Sequence, residues 1–257
     1  MLFGTGTRLA RASTAAKRAA PGLVELREYV LKPDKAAAYL AATKEAAGVR
    51  HEHVPTRLCS VPETGGQLQI FTHWYSYADH SARDAARAGM PKDPRWVDYL
   101  NTIRPCVETQ SSTIFVEAPL VEAFGLHGLK NAACPSGGCE SEGDPIYELR
   151  RYQLRLGYDT VPAFMAHYES GLPSKLAAPG THPSTSLCSV LYSDIGSLNE
   201  VFEIWRHGAG TAGMMQSREA ARGANEWKSC IASIAELAIS FRSTVHKPVG
   251  DGLSKWV

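Results

Sequence analysis

The chain has 257 residues, 44% of them hydrophobic and 21% charged, with a formal net charge of +1. This is enough apolar material for one or two packed domains, and the balanced charge speaks against nucleic-acid binding, which leaves a basic excess. No apolar run approaches the ~18 residues that a membrane-spanning helix needs.

The first segment, residues 1–22, carries Arg8, Arg11, Lys17 and Arg18, several Ser and Thr, and no acidic residue before Glu25. That composition predicts a cleavable mitochondrial transit peptide and a matrix location, since a secretory signal needs the continuous apolar stretch that "RLARASTAAKRAA" lacks. The nearby "GTGTR" has no Gly-Lys-Ser/Thr and is no phosphate loop.

Residues 23–31 alternate, with Val24, Leu26 and Val30 on one side and Glu25, Arg27 and Tyr29 on the other, which predicts a strand. Pro33-Asp34-Lys35 opens a helix through about Val49. Residues 56–61 and 67–75 read as strands joined by the turn "PETGG". A helical region over residues 79–103 bends where Pro91 and Pro94 interrupt it, and residues 107–117 return as a strand.

The second half then repeats the first. Glu25-Leu26-Arg27-Glu28-Tyr29 reappears as Glu148-Leu149-Arg150-Arg151-Tyr152, and Leu58-Cys59-Ser60-Val61 as Leu187-Cys188-Ser189-Val190. Phe71-Thr72-His73-Trp74 matches Phe202-Glu203-Ile204-Trp205, so His73 aligns with Ile204. Arg83-Asp84-Ala85-Ala86-Arg87 returns as Arg218-Glu219-Ala220-Ala221-Arg222, and Trp96 as Trp227. Predicted elements are a strand at 146–154, a helix at 160–170, strands at 185–193 and 199–207, a helical region at 211–235 and a strand at 236–245. One duplicated domain is the economical reading. The domains are residues 23–120 and 146–247, joined by a Gly-, Ser- and Pro-rich linker at 121–145 and followed by a tail at 248–257.

The order β-α-β-β-α-β predicts an α+β fold of two tandem ferredoxin-like repeats, packed sheet to sheet as an intrachain barrel. Glu25, Arg27, Tyr29, Glu148, Arg150 and Tyr152 would then point into the lumen, away from the helices, joined by His73.

These motifs resemble the NIPSNAP family of the dimeric α+β barrel superfamily. The likeness rests on Glu-Leu-Arg-x-Tyr opening each half and on Trp74, Tyr77, Arg83, Arg87, Asp93, Trp96 and Tyr99. The second half keeps Trp205, Arg218, Arg222 and Trp227, but His207-Gly208 replaces the aromatic region and the Asp is missing. The resemblance implies a mitochondrial protein linked to vesicular transport and mitophagy signalling, with no settled catalysis.

The lumen-facing trio in each half reads either as a grip on a small polar ligand or as mutually satisfied ion pairs, and its retention in both copies favours the pairs. Arg83, Arg87, Arg218 and Arg222 lie on charged helix faces and mark a candidate partner surface. His51 and His53 read as a solvated pair in a connection, and Trp96 and Trp227 as core anchors. Cys59 and Cys188 read as equivalent small core residues. Cys134 and Cys139 form a linker pair without further ligands for zinc. No metal site and no cofactor is expected.

The expected function is therefore non-enzymatic: contacts with mitochondrial proteins, as an adaptor or an accessory subunit. Peripheral membrane association and homo-oligomerisation stay open. The alternative is a small-molecule-binding or oxygenase-like enzyme using the barrel lumen.

Overall fold

The computed structural model describes residues 22–135, 143–250 and 252–256. The segment read as a transit peptide and one cysteine of the linker pair, Cys139, lie outside them. In chain order the first half runs β1 (Leu23–Leu31), α1 (Ala36–Glu45), α2 (Ala47–His53), β2 (Thr56–Thr64), β3 (Ile70–Tyr77), α3 (His80–Gly89), α4 (Pro94–Ile103) and β4 (Val107–Glu117). After the short α5 (Leu120–Ala123) the second half runs β5 (Ile146–Leu154), α6 (Thr160–Leu176), β6 (Thr185–Ile195), β7 (Glu200–His207), α7 (Gly210–Gly223), α8 (Asn225–Leu237) and β8 (Ala238–Pro248).

Local chemistry sets these boundaries. The Asp79 carboxylate accepts the Ala82 amide at 2.8 Å and caps α3. Asp93 accepts the Arg95 amide at 2.9 Å and caps α4, with Pro94 in its first turn. Between them Met90–Lys92 forms a 3-10 turn around Pro91, the bend that the sequence predicts. The connection read before β2 is shorter than expected because α2 runs on to His53. His51 and His53 are thus helical: His51 bonds the Gly252 carbonyl at 2.7 Å, and His53 bonds Asp93 at 2.9 Å.

The strands close into one eight-stranded antiparallel barrel in the order β1-β3-β2-β8-β5-β7-β6-β4. The halves meet edge to edge, through β2 with β8 and β4 with β6. Closure removes every free edge, which would otherwise invite pairing with another chain. The expected face-to-face covering is thus achieved by a shared wall.

Side chains from both halves fill the lumen. Leu26, Leu58, Trp74 and Phe115 meet Leu149, Leu191, Phe202 and Ile204 there, with Leu129 from the connection and Trp256 from the tail. About 50 Å³ of open space is left beside Trp74 and Phe202, room for one or two waters rather than a substrate. The 248–257 segment is part of the core rather than a loose tail, since Leu253 and Trp256 are fully buried. Two further cores lie outside the barrel, one under the helices of each half.

Strand register corrects the alignment of the halves. Glu25 stands opposite Tyr75, and Glu148 opposite Trp205. Tyr75 therefore matches Trp205, His73 matches Glu203 rather than Ile204, and Tyr77 matches His207. Trp74 lies in the lumen while Trp205 lies under the helices. Cys59 pairs with His73 and Val190 with Glu203, so Cys59 matches Val190 rather than Cys188; Cys59 is under the helices and Cys188 in the lumen. A slip of one residue moves a side chain to the opposite face, and an irregularity between Leu187 and Ser189 supplies it on β6.

Candidate functional site

The charged trios do not face the lumen. Glu25 is fully buried beneath α3, where it accepts from Arg87 at 2.7 Å, Arg83 at 3.1 Å and Ser112 at 2.7 Å. Arg27 approaches the same carboxylate at 3.4 Å and bonds Tyr29 at 3.2 Å. His73 lies on the same side and meets Tyr39 at 3.1 Å. In the second half Glu148 accepts from Arg150 at 2.6 Å, Arg218 at 2.6 Å and Ser243 at 2.8 Å. Tyr152 packs against Phe164 and Phe241 on that side too.

The expectation fails for a physical reason. The lumen is largely apolar, and charges that line it, Glu28 and Arg151, pair with each other. By contrast, α3 and α7 turn arginines down onto the opposite face of the sheet to meet Glu25 and Glu148. For the same reason Arg83, Arg87 and Arg218 are not a free partner surface. Arg222 alone of the four faces out, 64% exposed and paired with Glu219.

Burial alone would raise both carboxyl pKa values, but the arginines win. Arg87, Arg83 and Ser112 hold Glu25 down to about 2. Against the same burial, His207, Arg150 and Arg218 hold Glu148 far below the usual carboxylate range. Both carboxylates are thus spoken for, and each clamps a helix to its sheet.

What lies beside each clamp differs. In the first half Arg50, 3% exposed, donates to the hydroxyls of Tyr75 and Tyr99 and sits 5.3 Å from the Trp96 ring. Tyr99 also meets Thr43 at 3.1 Å. Burial, then Arg50 and Arg27, pushes the His73 pKa well down, so that imidazole is neutral near pH 7. The Arg50 site is filled by its own side chains, and a separate cavity of about 500 Å³ lies beyond Trp96, lined by Arg27, Tyr29, Arg87 and Gln110.

In the second half a cavity of about 480 Å³ opens between the β5-β7-β8 wall and helices α6 to α8. Lys175, on the last turn of α6, is 8% exposed. Among the described residues its Nζ has no hydrogen-bond partner, and it lies 3.6 Å from the Trp205 ring centre and 4.4 Å from that of Trp227. Burial, and then Arg150, pulls the Lys175 pKa down to about 7, against the opposing pull of Glu203 and Glu148. The two ring faces attract the ammonium but offer it no hydrogen-bond acceptor.

His207 is also buried here. Its Nδ1 meets Thr185 Oγ1 at 2.9 Å, and Thr185 meets Ser217 at 2.8 Å. Its Nε2 lies 3.4 Å from Glu148 without alignment for a hydrogen bond, and burial lowers its pKa despite that neighbour. Arg222 and Lys228 stand exposed at the rim.

The sequence reading ends the α6 helix at residue 170 and so misses Lys175. Gly171 and Pro173 look like a stop, yet α6 continues to Leu176. Gly171 is there for close approach: a Cβ at this position would lie 2.3 Å from Cys230 Cβ on α8. Trp205 and Trp227 line the cavity as well as packing, while Glu203, hidden by the register slip, receives the Trp205 indole N–H at 2.7 Å.

Among the described residues no group of three or more His, Cys, Asp or Glu side chains is placed to hold a metal, and no helix is long and apolar enough to cross a membrane.

Residues 24–121 match the NIPSNAP family. The chain belongs to the NIPSNAP family. An uncharacterized NIPSNAP domain protein of Burkholderia xenovorans is 30% identical over 38% of this chain and 95% of its own, with a TM-score of 0.36. A candidate monooxygenase of Lactobacillus acidophilus NCFM aligns over 89% of this chain and 94% of its own, at TM-score 0.57 and 9% identity. A candidate chlorite dismutase, TA0507, aligns over 90% and 96% at TM-score 0.53 and 13% identity. At such identities these last two establish the barrel architecture alone. No curated protein matches the sequence. The NIPSNAP match covers the half that holds Arg50, whereas the cavity lined by Lys175 lies in the other half.

Proposed function

We propose that this NIPSNAP protein works by binding. Its second half holds a small organic anion under α6 to α8, and the protein acts through contacts with other mitochondrial proteins, as an adaptor or accessory subunit. The observation that carries the binding reading is Lys175: a residue lining a cavity of about 480 Å³, whose amine is buried between two indoles without a hydrogen bond among the described residues. A buried polar group in a native fold is nearly always bonded, so an orphan lining a cavity suits a ligand. The size and mixed apolar and cationic lining fit a small aryl or alkyl carboxylate.

The filled lumen speaks against chemistry inside the barrel, the alternative that the sequence leaves open. We further read the halves as tandem ferredoxin-like repeats, because each gives the same strand order, β4-β1-β3-β2 and β8-β5-β7-β6. Mitochondrial targeting rests on the acid-free, Arg-rich residues 1–22.

Titration of tryptophan fluorescence with phenylacetate, benzoate and hexanoate tests the binding reading. At least one should quench Trp205 and Trp227 saturably, and Lys175→Met should weaken it tenfold or more. Silence across the panel, or affinity unchanged by Lys175→Met, would sink it.

A further inference from the structure

We propose that Lys175 is a reactive amine that condenses reversibly with the carbonyl of a small 2-oxo acid held in this cavity, forming an imine. The inference rests on the ligand-binding reading above and names the ligand's class. An amine nucleophile needs a free lone pair, access and a pocket that orients its electrophile. Among the described residues Lys175 Nζ has no hydrogen-bond partner, and the Lys175 side chain is one of those that line the cavity. The Trp205 and Trp227 rings fix it from two sides and exclude bulk water. Among the described residues no carboxylate is paired with it, Glu148 and Glu203 being taken by Arg150, Arg218 and His207, so no ion pair holds the proton in place.

The charged groups around it come from every wall. Glu148 and Arg150 stand on β5, Glu203 and His207 on β7, Arg218 on α7 and Lys228 on α8. Glu148 and Glu203 are already engaged by Arg150, Arg218 and the Trp205 indole, so the surroundings favour neutral amine. With a pKa near 7 about half of Lys175 is unprotonated at neutral pH, against roughly a thousandth for an ordinary lysine. The same rim offers Arg222 and Lys228 to the ligand's carboxylate.

The step balances without an oxidant or reductant. The nitrogen lone pair forms the C–N bond as the carbonyl π pair moves to oxygen, which takes up a proton while nitrogen gives one up. The C–O bond of this carbinolamine then breaks, oxygen leaves as water with a second proton, and nitrogen closes the C=N bond. His207 Nε2, unbonded and on the same wall, can pass the protons.

Trapping tests it. Full-length protein is incubated with phenylglyoxylate and cyanoborohydride, then mapped by peptide mass spectrometry, with phenylacetate titrated in parallel. The expected result is one adduct at Lys175, formed at least tenfold faster than at exposed Lys35 or Lys247. Its rate should rise through pH 7, and phenylacetate should slow it. Lys175→Arg should abolish the adduct while keeping the fold. Labelling of Lys175 no faster than of Lys35 and Lys247 overturns the proposal. If phenylacetate still binds in that case, the amine chemistry alone fails; if it does not, the cavity reading fails too.

Discussion

The two halves share one structural device and differ in what they build beside it. In each, a buried glutamate on the first strand collects a serine from the neighbouring strand and an arginine from the helix above: Ser112 and Arg87 on Glu25, Ser243 and Arg218 on Glu148. Beside this clamp the first half places Tyr75, whose hydroxyl receives Arg50, and the second places Trp205, which offers Lys175 a ring face and no acceptor. Both halves keep a cavity of about 500 Å³ under their helices. The first half's buried cation is answered by two hydroxyls away from that cavity, and the second half's lines it with only aromatic walls. The paired Glu-Leu-Arg-x-Tyr motifs thus report architecture, and the divergent positions around them report function.

The largest expected effect comes from breaking the clamp. Glu148→Gln leaves Arg150 and Arg218 without their carboxylate in a mostly buried setting, which typically costs about 3–5 kcal/mol. Glu25→Gln should cost less, because Arg83 and Arg87 are each 24% exposed and can turn to water, while Arg150 on Glu148 is only 13% exposed. Chemical denaturation of both variants checks the order, and equal losses would mean that the clamps are energetically identical.

Acid offers the same test without mutation. The folded pKa of Glu25, about 2, lies below the unfolded value near 4.5. Its contribution is therefore complete above pH 4.5 and disappears as pH falls towards 2, a loss on the order of 3 kcal/mol. Glu148 shifts in the same direction and adds to it. In Glu25→Gln the acid transition should be shallower. An unchanged slope between pH 4.5 and 2 would show that the Glu25 clamp carries little.

Much of this was legible beforehand, and the failures have a common cause. The strands, the bend at Pro91 and the closed barrel follow from alternation, proline and spacing. Which face of β1 meets the helices does not follow from alternation, since Val24/Leu26 and Glu25/Arg27 both had to be buried. Glu25 is fully buried, so the usual equation of polar with outward misleads here. The alignment of Trp74 with Trp205 failed because identity of residue type outweighed register, and one residue exchanges the faces. Lys175 escaped because Gly171 and Pro173 signal a helix end, while the close α6–α8 packing on Cys230 carries the helix through. No single-residue signal reveals that; it takes both helices.

That packing gives an intermediate effect. Gly171→Ala puts a methyl group 2.3 Å from Cys230 Cβ, so α6 and α8 must separate, at a cost of about 1–3 kcal/mol. The end of α6 should move with them, and phenylacetate affinity should fall along with stability. Cys230→Gly in the same chain should restore both. Failure of that rescue would place the effect in the helix backbone instead of the contact.

The smallest effect is also the sharpest discriminator, because it is expected to change sign between the halves. Arg50→Met removes a cation that two tyrosine hydroxyls require, leaving Tyr75 and Tyr99 with unanswered buried oxygens, so the first half should lose stability. Lys175→Met removes a cation that nothing bonds and replaces it with a flexible apolar side chain that suits the Trp205 and Trp227 walls. The folded pKa of Lys175, about 7, lies below the unfolded value near 10.5. Between those limits the unfolded chain binds the extra proton, so wild-type stability should rise with pH from about 7 towards 10.5. The gain from Lys175→Met, on the order of 1 kcal/mol once the lost cation–π attraction is subtracted, should be greatest below pH 7 and shrink across that range. Thermal melts of both variants at pH 6.5 and 9.5 read the signs directly. A Lys175→Met variant less stable than wild type at pH 6.5 would mean that the aromatic walls stabilise the ammonium more than burial opposes it, and the amine would then be a structural cation like Arg50.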